Sequence, residues 1–133
     1  MKYLSLYLIN LTVFLGIDFI WLAVVAKNFY AKHLGYLMTT KPNLLAAGIF
    51  YLLFIIGVLV FAILPGLKEN SLLKTAINAT LFGLITYATY DLTNLATIKN
   101  WPLVVTVVDM VWGTVLSLSV SIITFLIAKK IGW

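Results

Sequence analysis

The sequence predicts an all-α fold, an integral membrane bundle of four transmembrane helices, and three observations lead to this fold class. Of the 133 residues, 63% are hydrophobic and 10% are charged, which is too few polar side chains to cover a water-soluble domain. Four long apolar runs alternate with short polar segments. Because about 20 helical residues cross the hydrocarbon core, four crossings and their connections occupy the chain as a single transmembrane domain over residues 1–133.

The first two apolar runs predict helices of different character. Residues 3–26 form the first run, which lies between two lysines and is long enough to span. Residues 44–64 form the second, which contains no charged side chain and is followed by Pro65 and Gly66. Proline and glycine together predict that the second helix ends there. Between the two runs, residues 28–43 leave room for a short helix lying in the membrane interface, although Gly35 weakens that prediction.

The last two runs predict an antiparallel pair of helices joined by a tight connection. The third helix, residues 72–98, is the most polar and carries six threonines. Polar side chains are costly against lipid, so we expect the other helices to enclose it. The fourth helix covers residues 102–128, and Pro102 suits its first turn.

The charged residues indicate helices anchored at the membrane surface and argue against a nucleic-acid-binding protein. All nine basic residues are lysines, and with four acidic residues they give a net charge of +5. The lysines lie near the predicted helix ends, where they anchor helices at the membrane surface. The chain lacks the arginines and the basic stripe typical of nucleic-acid binding, so we expect no nucleic-acid partner. We also expect no cofactor. It also lacks cysteine, which excludes disulfides and cysteine catalysis.

The lysines also bear on orientation. Five lie on the side of the two termini and four lie on the opposite side. The positive-inside rule then favours cytoplasmic termini in a bacterial inner membrane. A difference of one residue leaves the inverted topology and a dual topology open.

Three carboxylates, Asp18, Asp91 and Asp109, fall inside the predicted helices. Each lies seven to nine residues from the helix end on one side of the membrane. At ~1.5 Å per residue, this places all three roughly 10 to 14 Å below the same surface. An isolated carboxylate is costly against lipid, so we expect them to converge on one cavity, either within about 10 Å of each other or bridged by Asn94, Thr93 or water.

Two of the acids share a local pattern, because Asp18 precedes Trp21 by one helical turn and Asp109 precedes Trp112 in the same way. An indole N–H can donate a hydrogen bond to a carboxylate. Since the two helices run in opposite directions, we expect the two tryptophans on opposite sides of the acid layer. The second helix offers Tyr51 as its distinctive side chain, and we assign this helix a packing role. The candidate ligand- or proton-binding residues are Asp18, Asp91, Asp109, Trp21, Asn94, Tyr87, Tyr90, Trp112 and Thr93.

The segment from Tyr87 to Thr97, YATYDLTNLAT, is followed by Trp101-Pro102 and by Asp109-Met-Val-Trp112-Gly113. In these residues and in Asp18-Phe-Ile-Trp21-Leu22, the sequence resembles a family of small bacterial membrane proteins defined as a domain of unknown function. The resemblance covers the whole chain. It implies a four-helix inner-membrane protein with its signature on the candidate residues, and it implies no activity, substrate or cofactor.

Three functions fit these observations. The first is a carrier, channel or receptor-like site for a proton, a cation or an amine-bearing small ligand, with the aspartates as charge partners and the aromatic residues as walls. Since the chain is small for a complete transport pathway, this function also predicts a homo-oligomer, specifically a dimer. We favour a functional site because each buried aspartate costs about 2.5 to 3.5 kcal/mol at a helix centre, and Asn or Thr gives hydrogen bonds at a lower cost.

The two alternatives use the same aspartates differently. One is an enzyme acting on a lipid or an isoprenoid, with the acids holding a divalent ion or transferring protons. The chain contains no DxxxD, HExxH or nucleophile-elbow motif, so we lean away from an enzyme. The other is a structural or assembly subunit in which protonated aspartates join helices by hydrogen bonds.

Overall fold

The computed structural model describes residues 1–133, which form four helices and no strand. We name them in chain order, and their ranges are α1 Lys2–Leu34, α2 Leu44–Lys68, α3 Leu72–Thr97 and α4 Leu103–Lys130. Helices α1, α2 and α4 are 33, 25 and 28 residues long and apolar enough to cross a membrane. The all-α fold class is confirmed.

Helix α1 is longer than the sequence predicts. It continues past the expected end at residue 26 to Leu34, through a π-helical turn at Leu22–Ala26. The segment expected as a separate interfacial helix is therefore a continuation of α1 as far as Leu34. No proline or glycine interrupts residues 27–34, so no residue in this segment forces the helix to end before Gly35.

Helix α2 passes through Pro65 and Gly66 and ends at Lys68, so the prediction that these residues stop the helix is wrong. Proline has no N–H to donate and leaves a carbonyl in the preceding turn without its helical partner. The side chain of Asn78 in α3 supplies a donor, because its Nδ2 lies 3.0 Å from the Phe61 carbonyl oxygen. A π-helical turn at Leu59–Ile63 precedes the proline and carries the helix up to it.

The most enclosed helix is α4, which packs against α1, α3 and the second half of α2. Eleven of its 28 residues are buried, compared with four of the 26 residues of α3. The prediction that the other helices enclose the polar third helix is therefore wrong. The central position belongs to the helix whose buried face carries glycine, serine and alanine, since small side chains let neighbouring backbones approach.

Helix α3 tolerates partial exposure because its threonines satisfy their own hydroxyl groups. Thr80, Thr86, Thr89 and Thr97 each donate a hydrogen bond to the main-chain carbonyl four residues earlier. A threonine bonded in this way leaves no free donor, so its cost against lipid is small. The threonine content therefore does not require burial.

Helices α3 and α4 are antiparallel neighbours, as the short connection predicts, and their backbones meet at glycines. Gly83 lies directly against the carbonyl oxygen of Gly113, and a methyl group on Gly83 would also lie 2.7 Å from Ser117 Oγ. The ring of Tyr87 lies against Gly113 in the same way. This contact fixes the position of α3 along the axis of α4.

Helices α2 and α3 diverge from the connection that joins them. They pack together from Leu59 onward, whereas the first half of α2, Leu44–Val58, stays apart from the α3 backbone. The result is a wedge-shaped gap between α2 and α3, here called the wedge, which opens away from the connection at residues 69–71. The narrow part of the wedge is filled by aromatic side chains, including Phe82 stacked on Phe61 with ring centroids 5.9 Å apart.

The glycine contact gives a test of the packing. We expect Gly83→Ala to lower the free energy of unfolding by about 1 to 3 kcal/mol, because the added methyl group meets a backbone carbonyl that cannot rotate away. Gly48→Ala is the matched control, since no atom lies within 4 Å of its added methyl group. Thermal unfolding of the purified variants in detergent measures the difference. Equal loss in both variants would contradict the packing of α3 on α4.

Candidate functional site

Asp18 is buried in α1 and receives a hydrogen bond from α2. The hydroxyl of Tyr51 in α2 donates to Asp18 Oδ2 at 2.9 Å. The indole of Trp112 in α4 lies within hydrogen-bonding reach of the same carboxylate. The purely structural role assigned to α2 is therefore incomplete, because this helix supplies a direct partner to one of the acids.

Asp109 is buried in α4 and is tied to the extension of α1. The hydroxyl of Tyr30 donates to Asp109 Oδ1, and the indole of Trp21 lies within hydrogen-bonding reach of that hydroxyl. Side chains on a helix lean toward its N-terminus, so Tyr30 points back from the end of α1 toward the acids. The added turns of α1 thus complete the environment of Asp109.

Asp91 in α3 is the most enclosed of the three acids, with 0% of its surface exposed. Neither of its carboxylate oxygens has a hydrogen-bond partner. Its carboxyl group lies within hydrogen-bonding reach of that of Asp109. Two adjacent carboxylates are acceptors without a donor between them, so this pair requires a proton or a cation.

Tyr87 occupies the centre of this group. Its side chain is close enough to Asp18, Asp91 and Asp109 to interact electrostatically with all three. The structure thus gathers the three acids around Tyr87, with the carboxyl groups of Asp91 and Asp109 next to each other.

The bridge predicted through Asn94 or Thr93 is absent. Thr93 is exposed, and the half-buried Asn94 interacts with the hydroxyl of Tyr90. Tyrosine hydroxyls from α1 and α2 contact the acids in place of these side chains.

The two tryptophans of the repeated pattern stack on each other. The rings of Trp21 and Trp112 lie with centroids 4.3 Å apart and planes inclined by 6°. The prediction that they lie on opposite sides of the acid layer is wrong. Each side chain leans toward the N-terminus of its own helix, and because α1 and α4 are antiparallel, the two rings lean toward one another.

A cavity of about 300 Å³ lies in the wedge between α2 and α3. Asp109 is the one charged residue of its wall, and four of the other five lining residues are aromatic. Phe50 and Tyr90 are 52% and 57% exposed, so they stand at its opening. The lining residues are Phe50, Phe54, Thr86, Tyr87, Tyr90 and Asp109. An aromatic wall with one carboxylate suits a cation, which the ring faces and the carboxylate both attract.

Five residues of this site were not predicted from the sequence, namely Tyr30, Phe50, Tyr51, Phe54 and Thr86. The three on α2 had a usable signal, because they fall at helical spacing and form one aromatic face. Tyr30 had none, since it lies beyond the expected end of the first helix.

The three acids are not arranged as a three-residue metal site. The structure contains no group of three histidine, cysteine, aspartate or glutamate side chains that could hold a metal ion. The one histidine, His33, packs its ring against Phe29 with centroids 4.8 Å apart. The arrangement instead offers one hydrogen-bonded carboxylate at Asp18 and one adjacent carboxyl pair beside an aromatic cavity.

The hydroxyl of Tyr30 gives a test of how the site holds α1. We expect Tyr30→Phe to speed amide hydrogen exchange over residues 27–34 by about tenfold, since a hydrogen bond to a carboxylate contributes about 1.5 kcal/mol or more. Exchange followed by mass spectrometry on the purified protein measures the rate. Tyr3→Phe is the control, because the Tyr3 ring packs edge-on against Trp133 at the other end of α1. Unchanged exchange over residues 27–34 would show that the Tyr30 hydroxyl does not hold this segment.

Comparison with known proteins places the chain in a family. It matches the family described as a predicted membrane protein, DUF2177, over residues 3–126, a range that includes the three buried aspartates. No curated protein and no solved structure shows a match. The resemblance inferred from the sequence is thus confirmed at the level of the family. The protein is a membrane protein and belongs to the DUF2177 family.

Proposed function

We propose that the protein binds a small cation with an apolar body, such as a protonated amine, in the cavity between α2 and α3. The observation that carries this proposal is an aromatic cavity of about 300 Å³ with a single carboxylate, Asp109, in its wall. Asp109 is the charge partner of the ligand. Tyr87, Tyr90 and Phe54 supply ring faces for its charged group and for its apolar body.

The composition of the wall supports a cationic ligand over an anionic or a neutral one. No lysine lines the cavity, so an anion meets no opposite charge there. A neutral apolar molecule gains from the rings but leaves the carboxylate of Asp109 without a counter-charge. A cation with an apolar body packs on the rings and also neutralises Asp109. The volume of the cavity lies at the lower end of the range for small-molecule sites.

The shape of the wedge supports entry from the bilayer. The first half of α2 stands apart from α3, and the exposed side chains at the opening, Phe50 and Tyr90, are aromatic. Amphipathic amines concentrate at the membrane interface, where an aromatic entrance is compatible with both ends of the molecule. This route requires no water-filled channel through the bundle.

Part of the proposal concerns the arrangement in the membrane. We include α3 as a fourth span, because it is 26 residues long, about 39 Å, and packs lengthwise along α4. Four spans in a bacterial inner membrane then put both termini on one side, and the lysine distribution favours the cytoplasm. The small size of the chain favours a homodimer in the bilayer.

A structural role is the second candidate, and one observation favours it. Asp18 accepts a hydrogen bond from Tyr51 of α2 and lies near the indole of Trp112 of α4, as an aspartate that joins helices does. Asp91 does not fit that role, since neither of its oxygens is bonded. We therefore assign the structural role to Asp18 and the ligand site to Asp109. An enzyme acting on a lipid or isoprenoid receives no comparable support.

A matched pair of probes tests the cation site. We expect 2-phenylethylammonium to bind the purified protein about tenfold or more tightly than 2-phenylethanol, because a charge-assisted contact contributes about 1.5 to 3 kcal/mol. Titration calorimetry in detergent measures both affinities. Asp109→Asn should abolish the preference for the amine, whereas Asp18→Asn should keep it, since Asp18 does not line the cavity.

Two results would contradict the proposal. One is equal affinity for the amine and the alcohol in the unmodified protein. The other is loss of the preference in Asp18→Asn with retention in Asp109→Asn, which would move the charge partner to a different helix.

The topology has a separate test, which the absence of cysteine makes simple. Single substitutions Lys2→Cys, Lys32→Cys and Lys130→Cys introduce one thiol each. In intact cells, a membrane-impermeant maleimide should label position 32, and it should label positions 2 and 130 only after permeabilisation. Labelling of position 32 together with position 2 from the same side would rule out a first span between them.

A further inference from the structure

We infer that the Asp91–Asp109 pair exchanges a proton for the cation, so that one proton leaves the pair as one cation enters the cavity. The inference rests on the proposed cation site and adds a coupling to it. Three observations carry it, namely the unpaired oxygens of Asp91, the contact between the two carboxyl groups, and the absence of a basic side chain around them.

The first step is the hydrogen bonding of the pair. Asp91 is fully buried and has no donor from the rest of the protein, although its carboxyl group adjoins that of Asp109. A carboxylate without a donor is unstable in an apolar interior. A proton on Asp91 turns an acceptor into an O–H donor, and the Asp109 carboxyl group is the acceptor within its reach. The geometry therefore needs a proton on Asp91.

The second step is the charge around the pair. The titratable groups that face it are Tyr30 from α1 and Tyr87 and Tyr90 from α3. Near Tyr87 also lie Asp18 of α1 and its partner Tyr51 of α2. These are hydroxyls and one further acid, and no lysine or histidine is among them. A negative charge on Asp109 thus has no counter-charge within the protein. The counter-charge is a proton when the cavity is empty and the cation when it is filled.

The carboxyl group of Asp109 exchanges one proton for one cation. In the empty site both carboxyl groups carry their protons. When a protonated amine enters, the O–H bond of Asp109 breaks, its proton passes to water, and the carboxylate pairs with the ammonium group. The O–H groups of Asp91 and Tyr30 then donate to the Asp109 carboxylate. The net charge of the site is zero before and after, which suits an apolar interior.

This mechanism gives the two acids different roles. Asp109 lines the cavity and is the residue that exchanges proton and cation. Asp91 does not line the cavity and acts as a positioning residue, because its O–H supports the charge on Asp109. An amide at position 91 can also donate a hydrogen bond, whereas an aliphatic side chain cannot.

Proton release on binding tests the exchange directly. Titration of 2-phenylethylammonium into the purified protein by calorimetry, in two amine-free buffers of different ionisation enthalpy at each pH, gives the number of protons released. We expect about one proton per bound amine, and an affinity that rises with pH wherever proton release is measured. Binding of the amine without proton release, at an affinity independent of pH, would overturn the exchange and leave the cation site standing. Absence of any preference for the amine over 2-phenylethanol at every pH would instead overturn the cation site.

Variants at position 91 test the positioning role. Asp91→Asn should bind the amine and release about one proton, as the unmodified protein does. Asp91→Leu should bind about tenfold more weakly at pH 7, since the Asp109 carboxylate loses one donor. Equal binding and equal proton release in a folded Asp91→Leu would overturn the role of Asp91. If that variant does not fold, loss of proton release in a folded Asp91→Asn would overturn the assignment of the exchanged proton to Asp109.

Discussion

The structure depends on one constraint, which is that polar groups inside a membrane bundle have no water to pair with. Six of the nine buried polar side chains meet that requirement through a hydrogen bond within the bundle, whereas those of Asp91, Ser117 and Ser121 do not. Asn78 bonds the carbonyl of Phe61 beside a proline, and the hydroxyl of Tyr51 bonds Asp18. Asp91 is the exception among the acids, and its two unpaired oxygens define where the protein needs something from outside.

The packing of the helices follows from the same constraint and produces the site. Glycine contacts bring α3 and α4 so close that Asp91 meets Asp109, and they place the ring of Tyr87 over Gly113. Nothing comparable draws the first half of α2 onto α3, so these two helices separate and leave a cavity. Close packing on one side of α3 and separation on the other thus place a carboxyl pair beside an aromatic wall. A cation at that position meets both without any further change in the bundle.

Each helix contributes to the environment of the acids. The tyrosine from α1 and the tyrosine from α2 reach different aspartates, and the stacked tryptophans fill the space between α1 and α4. The carboxyl groups therefore help to define the contacts between helices as well as the ligand site. A bundle of this size has no separate binding domain, and the groups that hold its helices together lie next to the groups that bind.

The sequence by itself determined the helical membrane fold, since apolar runs and sparse charge allow no other solvent, and it singled out the three acids because charge is rare and costly in such runs. Only the tertiary structure decided which acids meet and which side chains serve them. Tyr30 and Asp109 are 79 residues apart, and neither helical spacing nor composition relates positions so distant. The same applies to the helix ends and to the central helix. Asn78, which lies on α3, bonds a carbonyl of α2 and so helps α2 to continue past its proline. Threonines of α3 bond their own backbone, which removes the need for burial that their polarity suggested.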